Sequence, residues 1–215
     1  MRLKSFSPYD ELARAVLVAY PAGEDGAHDL THLERVWRNA KAIQAEEGGD
    51  LELVAASVLL HDCVQVPKDS PQRASASRLA ATEARNFLGT LLWKEHRIQV
   101  VAEAIESHSY SAGIAPTSLE GKILQDADRL DAIGLIGIAR CFYTAGRMGS
   151  ELYDPSDPRA KARTLDDGKF ALDHFPKKLL RLAEGFHTTA GQRLALERHR
   201  ALQAFYDATL AEIGL

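Results

Sequence analysis

The side chains best suited to chemistry in this sequence are imidazoles and carboxylates. They are His28-Asp29 and His32, the adjacent pair His61-Asp62, His108, and the run Asp126-Ala127-Asp128-Arg129-Leu130-Asp131. Brought together from separate elements, such groups make a site for a borderline or hard divalent cation. The two cysteines, Cys63 and Cys141, form no Cys-x-x-Cys pair, which excludes a zinc-finger arrangement. A cation held by imidazoles and carboxylates can keep open positions for water and acidify it near neutral pH.

Each candidate also has a plainer reading. His61-Asp62 ends a nearly polar-free segment, Leu51 to Leu60, where charged groups are rarely buried without a partner or a metal. The alternative there is a helix end in which His61 meets the last carbonyls. His28 and His32 are four residues apart, share a helical face, and compete for one role. Steps of 100° along the helix around Asp128 leave open which of Asp126, Asp128 and Asp131 looks inward; Asp126 reads more readily as solvated than as the partner of a ligand histidine. His108 continues the apolar stripe Ile98, Val101, Ile105, where a histidine is more often a satisfied core residue.

The elements that must carry these groups read as helices throughout. Ser7-Pro8 suggests a helix start, with Leu12, Ala15, Val16 and Ala19 at helical spacing and Pro21 as the stop. A second helix begins near Asp29 or Thr31, places Leu33, Val36, Trp37, Ala40 and Ile43 on one face with His32, and stops at Gly48-Gly49. Asp50 caps a third, which His61-Asp62 closes. Ser70-Pro71 suggests the start of a fourth, running to about Leu92 with Leu79, Phe87 and Leu88 inward; the His108 stripe makes a fifth, and Ser118 caps a sixth. Gly134 and Gly137 lie in a run too apolar for a loop and mark close helix packing. From Gly146 to Gly168 the periodicity gives way to Asp154-Pro155 and Asp157-Pro158, an irregular stretch of the kind that can cover a site. Two helices follow, around Asp173 to Phe186 and Thr189 to Ile213. With no alternating strand pattern, the expected fold class is all-α: a single domain over 1–215 with about eight to nine helices.

Composition narrows the function. The chain is 46% hydrophobic and 26% charged, an ordinary globular balance. A net charge of −4 argues against a bulk electrostatic grip on nucleic acid or anionic lipid, so any phosphate recognition must be local. No apolar run approaches the roughly 20 residues that span a bilayer, and the first residues lack a signal-peptide core, so the expected address is the cytoplasm.

The wider pattern resembles the HD superfamily of metal-dependent phosphohydrolases, in which a histidine, a His-Asp pair and a later aspartate on separate helices bind one or two metals. It rests on His32-Leu33-Glu34-Arg35-Val36, His61-Asp62 and Asp128-Arg129-Leu130. Ser107-His108-Ser109, Gln125 to Gly134, and His174-Phe175-Pro176-Lys177-Lys178-Leu179-Leu180 extend it to a bacterial subgroup of uncharacterised or nucleotide-directed hydrolases. The resemblance implies metal ligands at His32, His61, Asp62 and Asp128. Arg35-Val36 favours His32 over His28, and the Asp-Arg-Leu run favours Asp128 over its neighbours. It also implies a catalytic role for Asp62, which could hold water or bridge two metals, and for His108 as a further metal- or phosphate-contacting residue. The cofactor implied is one or two divalent ions, with Mn, Fe, Co, Ni, Mg and Zn all compatible with these ligands. The substrate implied is a small phosphorylated molecule, a nucleotide foremost. Lys68 and Arg73 follow the ligand pair closely and flank a helix start, which makes them candidates for offsetting phosphate charge.

Two other classes stay in view: a two-iron oxygenase on the same fold, which needs extra histidines, and a non-catalytic helical binding module. The absence of H-E-x-x-H and of a Walker-type G-x-x-x-x-G-K-[ST] disfavours a metalloprotease and a P-loop ATPase.

Overall fold

The computed structural model describes residues 4–21, 29–64, 66, 75–109 and 113–214. Among these residues there are nine α-helices and no strand: α1 (Asp10–Ala19), α2 (Leu30–Glu47), α3 (Leu51–Leu60), α4 (Ala76–Thr90), α5 (Glu95–Ser107), α6 (Leu119–Asp131), α7 (Gly134–Met148), α8 (His174–Lys177) and α9 (Thr189–Glu212). The chain forms two compact units, Met1–Asp128 and Arg129–Leu215.

In the first unit the caps act where the sequence places them. Asp29 Oδ1 accepts from the amides of Thr31 and His32, which starts α2 with His32 already in its first turn. Gly48, with φ at 83°, ends that helix in a conformation that costs L side chains a penalty. Asp50 Oδ1 accepts from Glu52 and Leu53, so only three residues separate the end of α2 from the start of α3. α3 is buried along almost its whole length because α1, α2 and α5 all pack on it. α5 in turn lies along α4. Ser118 Oγ accepts from Gly121 to open α6, and Glu120 Oε1 accepts from the Asp50 amide, joining the starts of α3 and α6.

Three expectations in this unit are corrected. α1 begins at Asp10 with Tyr9 as its unbonded cap, so Ser7 does not serve as one. Its buried face is Ala13, Val16 and Leu17, one step round from the expected stripe. Leu79 on α4 is exposed, the inward residues there being Ser77, Ala80, Ala81, Ala84 and Leu88: small side chains let α4 approach α5 closely, and Leu79 falls off that face. The suggested helix start at Ser70-Pro71 lies outside the described residues.

The second unit is built on α7 and α9, which pack together, and on an aromatic cluster of Phe142, Phe175, Phe205 and Tyr206. Gly134 and Gly137 are both buried, as expected, but Gly134 also turns the chain, opening α7 at φ 73° with Arg198 close by. The single helix expected around Asp173 to Phe186 is instead a 3₁₀ turn (Ala171–Asp173), the short α8, and a second 3₁₀ turn (Leu179–Arg181). Phe175, Leu179, Leu182 and Phe186 are buried at helical spacing, yet Lys178 leaves the helical region (φ −137°, ψ −60°). Arg129 rewards the break by donating to the carbonyls of Leu182, Glu184 and Gly185. The irregular stretch after α7 is closely knit: Arg163 bridges Asp154 and Asp173, and Asp167 receives both His174 Nδ1 and Lys177 Nζ.

Candidate metal centre

The site is assembled within the first unit from the N-terminal turn of α2, the C-terminal ends of α3 and α5, and Asp128 near the end of α6. His32 Nε2 lies 3.3 Å from His61 Nε2 and 3.6 Å from Asp128 Oδ1. His61 Nε2 is 3.5 Å from Asp62 Oδ2 and 4.0 Å from Asp128 Oδ1, and His32 Nε2 is 4.0 Å from Asp62 Oδ2. Two donors each about 2.1 Å from one ion are about 3 Å apart when adjacent on it and about 4.2 Å apart when opposite. All five separations fall in that interval, and His32, His61 and Asp128 form one group whose donor atoms lie close enough together to share a cation, with Asp62 beside it.

Tautomers agree with that fit. The Nδ1 atoms of His61 and His108 each meet a carbonyl of their own helix, Val58 at 2.8 Å and Ile105 at 2.6 Å. A carbonyl only accepts, so each Nδ1 carries the proton and each Nε2 offers a lone pair. Both histidines are helix C-caps whose rings meet carbonyls in the last turn of their own helix, and the Ile105 carbonyl also accepts the His108 amide. The local fold that looked like the plain alternative for His61, a cap, is the same contact that aims Nε2 at its neighbours.

His108 approaches from the other side. Its Nε2 is 3.8 Å from Asp62 Oδ1, and its ring meets that of His61 edge-on at 5.0 Å. Asp62 thus turns one oxygen toward His32 and His61 and the other toward His108, giving two overlapping donor groups: His32, His61, Asp128 and His61, Asp62, His108. Burial holds the His108 pKa below its ordinary value, and the neighbouring His61 adds to this against the opposing pull of Asp62, Asp128 and the Ile105 carbonyl. The imidazoles of His32 and His61 are 3% and 0% exposed, the carboxylates of Asp62 and Asp128 43% and 29%, so the solvent-facing side of the site is the carboxylate side. Cys63 takes no part: burial, then Glu83 and Asp62, push its thiol up to about 12, and Sγ points at the Ala80 carbonyl.

On α6, Asp128 faces the histidines. Asp131 is buried against Arg140 at 2.8 Å. Asp126, read from sequence as solvated, is fully buried, because the inward arc of α6 is wide enough to take in residues 123 to 127. Lys68 and Arg73 lie outside the described residues, as does His28. Two polar residues went unnoticed in the sequence. Asn39 and Gln125 are buried and donate to the carbonyls of Ala127 and Ser107. For Asn39 a signal existed: it continues the face of His32 and Val36 at spacings of four and three, where an amide needs a reason to be.

A sequence model of the HD domain family matches residues 29–133, which hold all of these groups. The Bacillus subtilis protein YpgQ is 36% identical over 185 residues, covering 85% of this chain and 82% of YpgQ. A crystal structure of YpgQ in complex with ADP superposes with a TM-score of 0.72 at 32% identity, over 95% of this chain and 97% of that one. A Bacillus thuringiensis HD-superfamily hydrolase does so with a TM-score of 0.70 at 30% identity, over 97% and 94%. An all-helical chain with a His-Asp pair closing a buried helix is the class that fold and site define. The chain belongs to the HD domain family.

Proposed function

We propose that this protein is a metal-dependent phosphohydrolase acting on a small phosphorylated molecule, with a nucleotide as the leading substrate. One observation carries the reading: the Nε2 atoms of His32 and His61 converge from separate helices, and a carboxylate oxygen of Asp62 and of Asp128 each lies within 4.0 Å of both. The similarity to HD-superfamily hydrolases supports hydrolysis, and the ADP complex of YpgQ supports a nucleotide.

In this reading His32, His61, Asp62 and Asp128 hold the ion, and a second ion has His61, Asp62 and His108 at hand. The bound cation supplies an acidified water and neutralises charge on a phosphoryl oxygen. Asp62, with an oxygen toward each donor group and its side chain open to solvent, is placed to accept a hydrogen bond from water and orient it. His108, whose protonated form burial disfavours, presents its Nε2 to the other oxygen of Asp62. Lys68 and Arg73 are assigned to the phosphate charge that a single cation leaves over. The free thiols of Cys63 and Cys141 support a cytoplasmic setting.

The test is release of phosphate or pyrophosphate from a panel of nucleotides and sugar phosphates by metal-stripped protein, with each cation restored in turn. Turnover that depends on an added cation and is strongest on a nucleotide is the expected result. No release with any pairing, together with oxygen uptake in the presence of iron, would replace the hydrolase reading by an oxygenase.

A further inference from the structure

Two buried amides sit one residue away from the site. Asn39, on α2 seven residues after His32, donates from Nδ2 to the Ala127 carbonyl at 3.0 Å. Gln125, on α6 three residues before Asp128, donates from Nε2 to the Ser107 carbonyl at 2.7 Å. In each case the carbonyl belongs to the peptide unit that leads directly into a site residue, Ala127 into Asp128 and Ser107 into His108. A peptide unit is rigid and planar, so fixing its oxygen fixes the next Cα in the same plane. Ala127 lies inside α6, whose own ladder already supplies its carbonyl with a partner, so Asn39 is not there to satisfy an orphan group. The Ser107 carbonyl, at the end of α5, is one that the helix leaves unpaired, and Gln125 both satisfies and aims it.

We infer that Asn39 and Gln125 are positioning residues of the metal centre, fastening α6 between α2 and α5 so that Asp128 and His108 are held at bonding distance of the cation. The inference rests on the metal-centre reading given above. Asn39 ties the helix of one ligand to the peptide of another across 88 residues of sequence, and Gln125 does the same between α6 and α5. Ligand directions good to about 0.5 Å require such outer hydrogen bonds, and side chains that supply them govern metal affinity without touching the ion.

The experiment compares Asn39→Leu and Gln125→Met, which keep volume and lose the donor, with Gln44→Met. Gln44 makes the same kind of bond, from Nε2 to the Gly49 carbonyl at 3.0 Å, at the far end of α2. Manganese affinity is measured calorimetrically on metal-stripped protein at a temperature where circular dichroism shows each variant folded. Asn39→Leu and Gln125→Met should each weaken manganese binding by about tenfold or more, while Gln44→Met keeps wild-type affinity. If Asn39→Leu fails to fold, Gln125→Met decides alone. Wild-type affinity in the folded variants would make both amides ordinary core residues and overturn the role. Loss of affinity in Gln44→Met equal to theirs would overturn it too, since any lost amide would then suffice. A wild-type protein that takes up no cation would remove the metal centre itself, a result distinct from a wild type that binds with variants that bind as well.

Discussion

At the scale of single residues, the site depends on buried imidazoles paired with half-open carboxylates. Replacing His61 or Asp62 by alanine should abolish tightly bound metal and hydrolysis together, because water is a poor substitute for either donor. Elemental analysis of the purified variants reads this directly, and full occupancy with unchanged turnover would sink the assignment. Asp128→Asn should weaken metal binding far more than Asp126→Asn, since Asp128 lies within 4.0 Å of both imidazoles and is assigned to the ion. Asp126 is fully buried, so its variant should show up chiefly as a lower Tm. Alanine at Lys68 or Arg73 should raise KM or lower kcat/KM for the phosphorylated substrate by about 1.5 to 3 kcal/mol with metal content intact. Unchanged kinetics in both would leave them as surface charges. Much at this scale was legible: His61-Asp62 stood out as a polar pair closing an apolar segment, and His108 as a histidine on an apolar stripe. The choice of Asp128 over Asp126 and Asp131 was not readable from periodicity, because all three fall within or beside the buried arc of one short helix. The role of Gln125 was invisible for a related reason, since an amide bonding a backbone oxygen on another helix leaves no local mark, whereas Asn39 shares the face of His32 and Val36.

At the scale of elements, the helix starts were the clearest features because their caps are local chemistry. Asp29, Asp50, Ser118 and Thr188 all accept from amides two or three residues ahead. Asp50 also meets Arg97 at 2.8 Å. Burial pushes the Asp50 carboxyl up, but the Leu53 amide, Arg97 and the Glu52 amide outweigh it and hold the group below its usual value. A folded value below the unfolded one means stability that is complete above the unfolded carboxyl range, near pH 4, and lost as pH falls through the lower folded value. The difference in Tm between wild type and Asp50→Asn should therefore be present at neutral pH and close in acid; a gap that widens in acid would contradict the assignment. Asp50→Ala, which also removes the cap, should cost about 1 to 2 kcal/mol. The stretch around Asp173 to Phe186 was misread because burial at spacings of four and three is satisfied equally by one helix and by successive tight turns. What separates the two is the bonding of the Arg129 guanidinium to distant backbone carbonyls, which periodicity does not encode.

At the scale of the molecule, the all-helical class followed from the absence of any alternating run, whereas the division into two units did not. It falls between Asp128 and Arg129, inside α6, where neither a loop nor a change of composition marks it. A ligand that binds only the folded protein stabilises it by mass action, by about 2.7 kcal/mol at a hundredfold excess over Kd. Restoring a divalent cation to the metal-stripped protein should raise Tm, and His61→Ala should abolish the rise. Hydrogen exchange should place the added protection in the first unit, at the start of α2 and the ends of α3 and α5. Protection confined to the second unit would show that the ion sits elsewhere.

α3 and α5 both terminate at the site, on His61 and His108. A helix terminus of that polarity carries a partial negative charge, and here two of them share a small volume with the carboxylates of Asp62 and Asp128. For the proposed hydrolysis this predicts an order of arrival. An anionic phosphate approaching before the cation meets these negative charges uncompensated, while a cation approaching first is drawn in by four separate sources and offsets most of the negative field that the phosphate then encounters. Addition should be compulsory and cation-first: calorimetry on the stripped protein should register no uptake of ADP or inorganic phosphate, and uptake should begin once a divalent ion is supplied. Equal ADP affinity with and without the ion would show that the two arrive independently.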